Sequence, residues 1–164
     1  MKLYDNKIAN SPRKVRMFLA EKNITDVEVI QIDIMQGEHK TAEYRAIAPN
    51  SRVPALQLDD GTVIMESTAI CRYLESLFPD PNLFGESPME IASIEMWQAR
   101  IYNELMIPLA MGFRHLHPAM SRLEIQNKEY GETQKKIGIK SLEYFNGVLA
   151  ESEYVAGDRY TFAD

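Results

Sequence analysis

Residues 50–74 are the stretch that most constrains how this chain folds. A Val53-Pro54 pair begins an extended segment, Asp60-Gly61 marks a turn, and residues 62–65 form a second extended segment. Asp-Gly between two short apolar runs is typical of a β-hairpin, because glycine tolerates the positive φ that such turns need. The stretch therefore predicts two antiparallel strands joined by a short turn.

A helix is expected directly after the hairpin, with Ser67 as its N-cap. Apolar side chains then recur at helical spacing, at Ile70, Tyr73, Leu74 and Leu77. Pro54 has no N–H to donate to a sheet, so we expect it at a sheet edge or a bend. An edge offers unpaired backbone groups and a helix start offers N–H donors, which together predict a site for a short anionic peptide. The alternative is an ordinary hairpin and helix, in which Pro54 only blunts an edge.

The residues before this stretch predict a strand, a helix, a second strand and a short helix. Residues 2–4 are a strand candidate, and Ser11-Pro12 opens a helix with serine as N-cap and proline at the first helical position. Asn23 is suited to end that helix in a left-handed conformation. Residues 27–34 alternate and are β-branched, which predicts a strand, and residues 41–47 predict a short helix.

This order, βαβ followed by ββα, is the thioredoxin-like arrangement, a mixed sheet flanked by helices. Redox proteins of that fold carry Cys-x-x-Cys at the start of the first helix. Residues 9–12 of this chain read Ala-Asn-Ser-Pro, so disulfide exchange is excluded. The single cysteine, Cys71, lies among apolar residues of a predicted helix, and we expect a buried, unreactive thiol.

A second, all-α domain is predicted after the α/β domain of residues 1–79 and a proline-containing linker at residues 80–86. Within residues 87–164, a long helix begins at Ser87-Pro88 and bends near Pro108, and residues 125–149 predict a second long helix.

The end of the sequence carries a helix-start signal. Thr161 and Asp164 form a variant of the capping box, with Asp in the place of Glu or Gln. Two helices with apolar faces need further helices to cover them, so we expect the chain to be truncated and to lack a terminal helical segment.

Composition limits the partners of the chain. Its 164 residues carry a net charge of −6, which argues against nucleic acid or an anionic membrane as the main partner. No apolar run approaches the ~20 residues that span a bilayer, and polar residues interrupt the start before a signal peptide forms. One cysteine excludes a disulfide framework and fits a reducing compartment, so we expect a cytoplasmic protein.

Together these residues resemble a cytosolic glutathione S-transferase. The resemblance covers nearly all of the chain and is carried by Val15-Arg16, residues 37–40 (Gly-Glu-His-Lys), 50–54 (Asn-Ser-Arg-Val-Pro), 66–70 (Glu-Ser-Thr-Ala-Ile), 156–158 (Ala-Gly-Asp) and 161–164 (Thr-Phe-Ala-Asp). It implies a homodimeric detoxification enzyme that conjugates the glutathione thiolate to small hydrophobic electrophiles, with some peroxide reduction. Glutathione is then the co-substrate, and no other cofactor or metal is implied.

The resemblance also implies which residues bind glutathione. Val53-Pro54 would carry a cis peptide bond and pair its backbone with the cysteinyl part. Glu66 would take the γ-glutamyl ammonium, while Ser67 and the helix start take the α-carboxylate. The glycine carboxylate would be surrounded by His39, Lys40 and Arg52. A solvated loop is the alternative for the histidine and the lysine.

Activation of the thiol is where the sequence departs from the family. A free thiol has a pKa near ~8.5, and helix N-termini lower it. The resemblance puts Ala9 where other members carry an activating serine or cysteine, with Asn10 and Ser11 one and two positions later. Ser11 falls where certain relatives place an asparagine that contacts the sulfur, and a plain N-cap is the alternative.

The pattern is closest to an atypical fungal and bacterial subgroup that lacks the usual first-helix side chain. In that subgroup a serine and a histidine of the second domain hold a water that deprotonates glutathione. Here the serine position holds Ala110 and the histidine position falls on Arg114 or His115, which argues against the water mechanism. Arg114 could instead stabilise a thiolate directly. His115 either lines the substrate cleft or is a satisfied histidine at a helix end. A second hypothesis is a non-catalytic module that keeps the glutathione site but has lost thiol activation.

Overall fold

The computed structural model describes residues 1–123 and 125–164. Two compact units follow one another along the chain, Met1–Asn82 and Leu83–Asp164. The first is built on a β-sheet and the second from helices, as the fold prediction requires. None of the described helices combines the length and the apolar character that crossing a membrane demands.

Four strands form the sheet of the first unit in the order β2-β1-β3-β4. They are β1 (Lys2–Asp5), β2 (Glu28–Gln31), β3 (Ala55–Gln57) and β4 (Val63–Met65). β1 and β2 are parallel because a helical crossover joins them, and the other two pairs are antiparallel. The mixed sheet of the thioredoxin-like prediction is therefore confirmed.

Three α-helices accompany the sheet: α1 (Asn10–Glu21), α2 (Ala42–Ile47) and α3 (Ser67–Leu77). Val15, Phe18 and Leu19 of α1 are buried, as are Ile70 and Leu74 of α3, because each helix presents one apolar stripe to the core. Of the other two periodic residues of α3, Tyr73 is half-buried and Leu77 is exposed. Cys71 of α3 is fully buried, and burial raises the pKa of its thiol to about 12. The predicted unreactive thiol is confirmed.

The end of α1 follows its prediction. Asn23 has a φ of 53°, in the left-handed region. Its N–H donates to the carbonyl of Ala20 (3.0 Å), and the N–H of Ile24 donates to the carbonyl of Leu19 (2.9 Å). These two bonds make a Schellman motif, which satisfies the last carbonyls of the helix.

The structure corrects two predictions about the strands. The strand predicted over residues 27–34 is only Glu28–Gln31, because β1 ends at Asp5 and offers no further partner beyond one bond to Ile32. Of the two places expected for Pro54, the sheet edge is excluded, since β3 is an inner strand paired with both β1 and β4, and the bend is confirmed, since the chain bends at Val53. Pro54 lies one residue before the first paired residue of β3, where the ladder needs no donor.

In the second unit, α4 (Pro88–Arg100) begins as predicted, with Ser87 as N-cap and Pro88 at the first helical position. A π-helical turn, Ile101–Met106, then leads into α5 (Ile107–Leu116). Where the sequence predicted a bend near Pro108, the structure has one π-helical segment, whose turns are wider than those of an α-helix, just before the proline.

The last helix, α6 (Lys128–Glu151), starts three residues later than the predicted Ile125, because Asn127 caps it. It packs closely on α5. A Cβ at Gly138 would lie 2.6 Å from the Leu109 side chain, so only glycine permits this approach.

Candidate functional site

The predicted binding residues of the first unit gather at one end of its sheet. In the register, Ala55 of β3 pairs with both Tyr4 of β1 and Met65 of β4. Pro54, just before β3, therefore comes opposite Glu66, just after β4. The loops that follow the parallel strands β1 and β2 start at the same end. Ligand sites of α/β sheets form where the carboxyl ends of parallel strands meet.

The peptide bond between Val53 and Pro54 is cis, as the resemblance implies. The residue before it is held in place: the carbonyl of Arg52 accepts a hydrogen bond from the Tyr44 hydroxyl (2.7 Å), and its N–H donates to Asn50 Oδ1 (3.2 Å). Burial raises the pKa of Tyr44 to about 12, so this donor stays protonated. Across residues 1–123 and 125–164, nothing bonds the backbone N–H or C=O of Val53, which leaves both groups for a ligand.

Helix α3 does not begin with Ser67 as N-cap, so that prediction is wrong. The cap position is Glu66, and its side chain makes no capping bond. The chain passes from β4 into α3 through this one residue, which adopts φ 72° and ψ 122°. A non-glycine residue in such a conformation carries roughly 1–3 kcal/mol of strain and is typical of ligand sites. The start of α3 and the exposed Glu66 carboxylate are therefore available together.

His39, Lys40 and Arg52 lie on the segments before α2 and β3. His39 belongs to a 3-10 turn (Glu38–Lys40) that begins at Gly37, whose φ is 79°. Within the part of the chain that the structure describes, the buried His39 Nδ1 has no hydrogen-bond partner. Burial, and then the charges of Lys40 and Arg45, lower the pKa of His39. Together with the exposed Arg52, these groups are suited to a carboxylate.

Helix α1 begins at Asn10, with Ala9 at the cap position and no side-chain cap. The prediction that Ser11 is the N-cap and Pro12 the first helical residue is wrong. The reason lies one turn earlier, where Asn6 Oδ1 accepts from the N–H groups of Ile8 (3.1 Å) and Ala9 (3.0 Å) and brings the chain into the helix sooner. The side chains of Asn10 and Ser11 are exposed.

Arg114 and His115 lie on α5, in the second unit. His115 Nδ1 accepts from the backbone N–H of Asn127 (3.0 Å), and its ring meets Tyr130 edge-on at 5.0 Å between centroids. A neutral imidazole that accepts at Nδ1 carries its proton on Nε2. This arrangement favours the alternative of a satisfied histidine at a helix end. The catalytic roles of Arg114 and His115 remain predictions.

Some residues that shape the site escaped the sequence prediction. Tyr44 holds the segment before Pro54, while Asp5, Asn6 and Arg16 hold the loop before α1. Asparagine directly after a strand is a turn signal that points to Asn6. The other three act through long-range contacts that no local pattern shows.

The fold and these residues define a thioredoxin-like protein with an added helical unit. Residues 10–77 match the family model for the N-terminal domain of glutathione S-transferases. The whole chain is 40% identical to Glutathione S-transferase 2 of Saccharomyces cerevisiae and covers 72% of that protein. The chain belongs to the glutathione S-transferase family.

Solved structures agree over the full chain. A glutathione S-transferase domain-containing protein of Marinobacter aquaeolei is 42% identical, with a TM-score of 0.90, and the match covers 100% of this chain and 82% of that one. A Gtt2-class glutathione S-transferase of Vibrio parahaemolyticus is 33% identical, with a TM-score of 0.84, over 100% of this chain and 77% of its own.

Proposed function

We propose that this chain is a glutathione transferase that joins the glutathione thiolate to small apolar electrophiles. The observation that carries the proposal is the sheet end, where the unbonded backbone of Val53 and the uncapped start of α3 at Glu66 come opposite each other. Membership of the family supports the same activity. Glutathione is the co-substrate, and the proposal requires no other cofactor.

Each part of glutathione has a partner at this end. The N–H and C=O of Val53 pair with the cysteinyl backbone, as an added strand would. The Glu66 carboxylate takes the ammonium, and Ser67 with the start of α3 takes the α-carboxylate. The glycine carboxylate is bound by His39, Lys40 and Arg52.

The chemical step needs a thiolate. Lowering a thiol pKa from ~8.5 by two units means ~2.7 kcal/mol of preferential stabilisation of the anion. The start of α1 can contribute through its dipole and through the exposed Asn10 and Ser11, and Arg114 is a further candidate for stabilising the thiolate. The thiolate sulfur then bonds to the electrophilic carbon, and a leaving group such as halide departs with its electron pair. The thiol proton passes to solvent.

We further propose a homodimer that works in detoxification in the cytoplasm. The cytoplasm suits the chemistry, because glutathione keeps thiols reduced there. Size-exclusion chromatography with light scattering checks the dimer.

Two measurements test the function. Calorimetry with glutathione should give saturable heat, and conjugation of an aryl halide at neutral pH should exceed the uncatalysed rate. Turnover should fall in Ser11→Ala and Arg114→Gln but not in the matched controls Ser76→Ala and Arg122→Gln, which change exposed side chains outside the site. Binding without turnover would favour the non-catalytic module. Absence of binding would overturn both hypotheses.

A further inference from the structure

Asp5 is a fully buried carboxylate at the end of β1. Both of its oxygens are engaged: Oδ1 accepts from Arg16 Nη1 (2.5 Å) and Oδ2 accepts from Gln31 Nε2 (2.6 Å). A buried charge is very unfavourable unless it is paired and hydrogen-bonded, so these contacts are required once the carboxylate is there.

Arg16 bonds more than the carboxylate. Its Nη1 also donates to the backbone carbonyl of Asn6 (3.1 Å), and its Nη2 donates to the carbonyl of Lys7 (3.1 Å). One guanidinium therefore joins Asp5 to two successive carbonyls of the loop between β1 and α1. A rigid planar group with several donors can make this set of bonds, whereas a single ammonium cannot span it.

Asn6 ties the same loop from the other side. Its Nδ2 donates to the carbonyl of Ile32 (2.9 Å), while its Oδ1 accepts from the N–H groups of Ile8 and Ala9. Residues 6–9 are thus fixed by side chains at both ends, although Lys7 and Ile8 are exposed. This loop delivers the chain to Asn10, the first residue of α1.

The start of α1 has few donors for an anion. Pro12 has no N–H, and the N–H of Arg13 already donates to the carbonyl of Ala9 (3.3 Å). The amides of Asn10 and Ser11 are the first-turn groups that remain, and no side chain caps them. Stabilisation of an anion by so few dipoles depends strongly on their orientation.

We propose that Arg16, held by buried Asp5, is a positioning residue for thiol activation. By fixing residues 6–9 it sets the direction in which Asn10 and Ser11 face the glutathione sulfur. The inference rests on the proposed function and deepens it: a chain with Ala9 where relatives carry an activating side chain relies on an oriented helix start instead.

The test compares Arg16→Ala and Arg16→Lys with Arg13→Lys, an exposed arginine of the same helix. In both Arg16 variants kcat should fall by about tenfold or more, while the Kd of glutathione stays within about threefold. In a plot of kcat against pH, the midpoint of the acid limb should move up by about one pH unit, because tenfold less thiolate forms at a given pH. Arg13→Lys should match the wild type.

Two results would overturn the inference. A lower Tm with an unchanged pH limb and unchanged kcat would leave Arg16 a purely structural role. Full recovery in Arg16→Lys would assign the effect to charge rather than to geometry.

If Arg16→Ala does not fold, Gln31→Ala removes one contact to Asp5 from an exposed residue of the edge strand. This variant should lower kcat by roughly threefold and move the acid limb of the kcat–pH profile to higher pH. No change in either quantity would count against the inference. If the wild type turns over normally and the variants show the same kcat and pH profile, only the positioning role of Arg16 is overturned. A wild type without turnover defeats the proposed function and this inference with it.

Discussion

Apart from α5, which continues from the π-helical turn, the α-helices of this molecule begin in two ways. α2, α4 and α6 each start with a residue whose side-chain oxygen accepts from the N–H three residues on: Thr41 (3.2 Å), Ser87 (3.2 Å) and Asn127 (3.0 Å). α1 and α3 start at Ala9 and Glu66, which make no such bond. A side-chain cap stabilises a helix by satisfying an N–H of its first turn. Two helices of the first unit lack such a cap.

The reason proposed here is functional. Both uncapped starts lie at the sheet end that carries the predicted glutathione residues, and the serines that resemble caps, Ser11 and Ser67, lie inside their helices. A capped start has its donors satisfied by the chain itself, whereas an uncapped start keeps donors for an anion. Substitutions at the two kinds of start should therefore separate ligand affinity from folding stability.

The largest effect is expected at the strained start of α3. Glu66→Ala should weaken glutathione binding by roughly 30-fold, because a charge-assisted bond to the ammonium contributes about 2 kcal/mol. The Tm should hardly change, since alanine keeps the same backbone strain and no capping bond is lost. Calorimetry and a thermal melt measure the two quantities. Glu86→Ala, an exposed glutamate beside the capped α4, is the control, and an equal loss of affinity there would break the comparison.

The opposite result is expected at a capped start. Ser87→Ala should lower the free energy of unfolding by about 1–1.5 kcal/mol, because it removes an N-cap from α4. Glu90 completes this cap by accepting from the N–H of Glu86 (2.9 Å). Glutathione affinity should stay the same. Denaturant unfolding gives the stability, and Ser87→Thr, which keeps the hydroxyl, should recover most of it. An unchanged midpoint in Ser87→Ala would contradict the role of the cap.

Much of the fold could be predicted because turn residues and hydrophobic periodicity are local signals in the sequence. Turn residues and 3.6- or 2-residue patterns gave the order of strands and helices, and Asn23 and Ser87 act as their positions predicted. What failed depends on contacts across the chain. Pro54 indicated an edge or a bend, and only the pairing of β3 with distant β1, which makes that strand an inner one, decides between them.

The candidate site was predictable only in part. The resemblance brought together Val53, Glu66 and His39, and the strand register puts the first two at the same sheet end. The helix starts were misplaced by one or two residues, because the Asn6 side chain and the φ of Glu66 decide where each helix begins. Arg16 belongs to the resemblance, but its bond to Asp5 spans eleven residues, so no local pattern shows what this arginine contacts.

Ser67→Ala tests the same comparison from the side of the ligand. The affinity for glutathione should fall by roughly threefold, since a neutral hydroxyl contributes about 0.5–1.5 kcal/mol to a hydrogen bond. The free energy of unfolding should change by less than about 0.5 kcal/mol, as for an ordinary surface substitution. Calorimetry and denaturant unfolding of the same preparation measure both. A drop in stability as large as that of Ser87→Ala would show that Ser67 acts as a cap after all.

The smallest effect on affinity and stability is expected at two histidines. They show the same contrast as the helix starts, because in the part of the chain that the structure describes one has an unbonded nitrogen at the binding end and the other a bonded nitrogen elsewhere. His39 Nδ1 is buried at the binding end without a hydrogen-bond partner among the described residues, whereas His117 Nδ1 in the second unit accepts from the N–H of Ala119 (3.2 Å). Burial, with Lys40 and Arg45, lowers the pKa of His39 in the folded chain. The unfolded chain therefore binds this proton more readily, and the stability of the free protein should rise with pH up to about 6.5.

Glutathione should reverse the direction. A carboxylate beside His39 favours the imidazolium form and raises the pKa of His39 in the complex above that in the free chain, so affinity should rise as pH falls through the window between these two pKa values. His39→Gln should flatten both dependences relative to the wild type. His117→Asn, which keeps an acceptor for Ala119, should change neither. Melting and calorimetry from pH 5 to 8 measure the two slopes. If the affinity for glutathione rose with pH, as the stability of the free protein does, His39 would not lie beside the bound carboxylate. A carboxylate next to this histidine would favour its protonated form and so strengthen binding at lower pH.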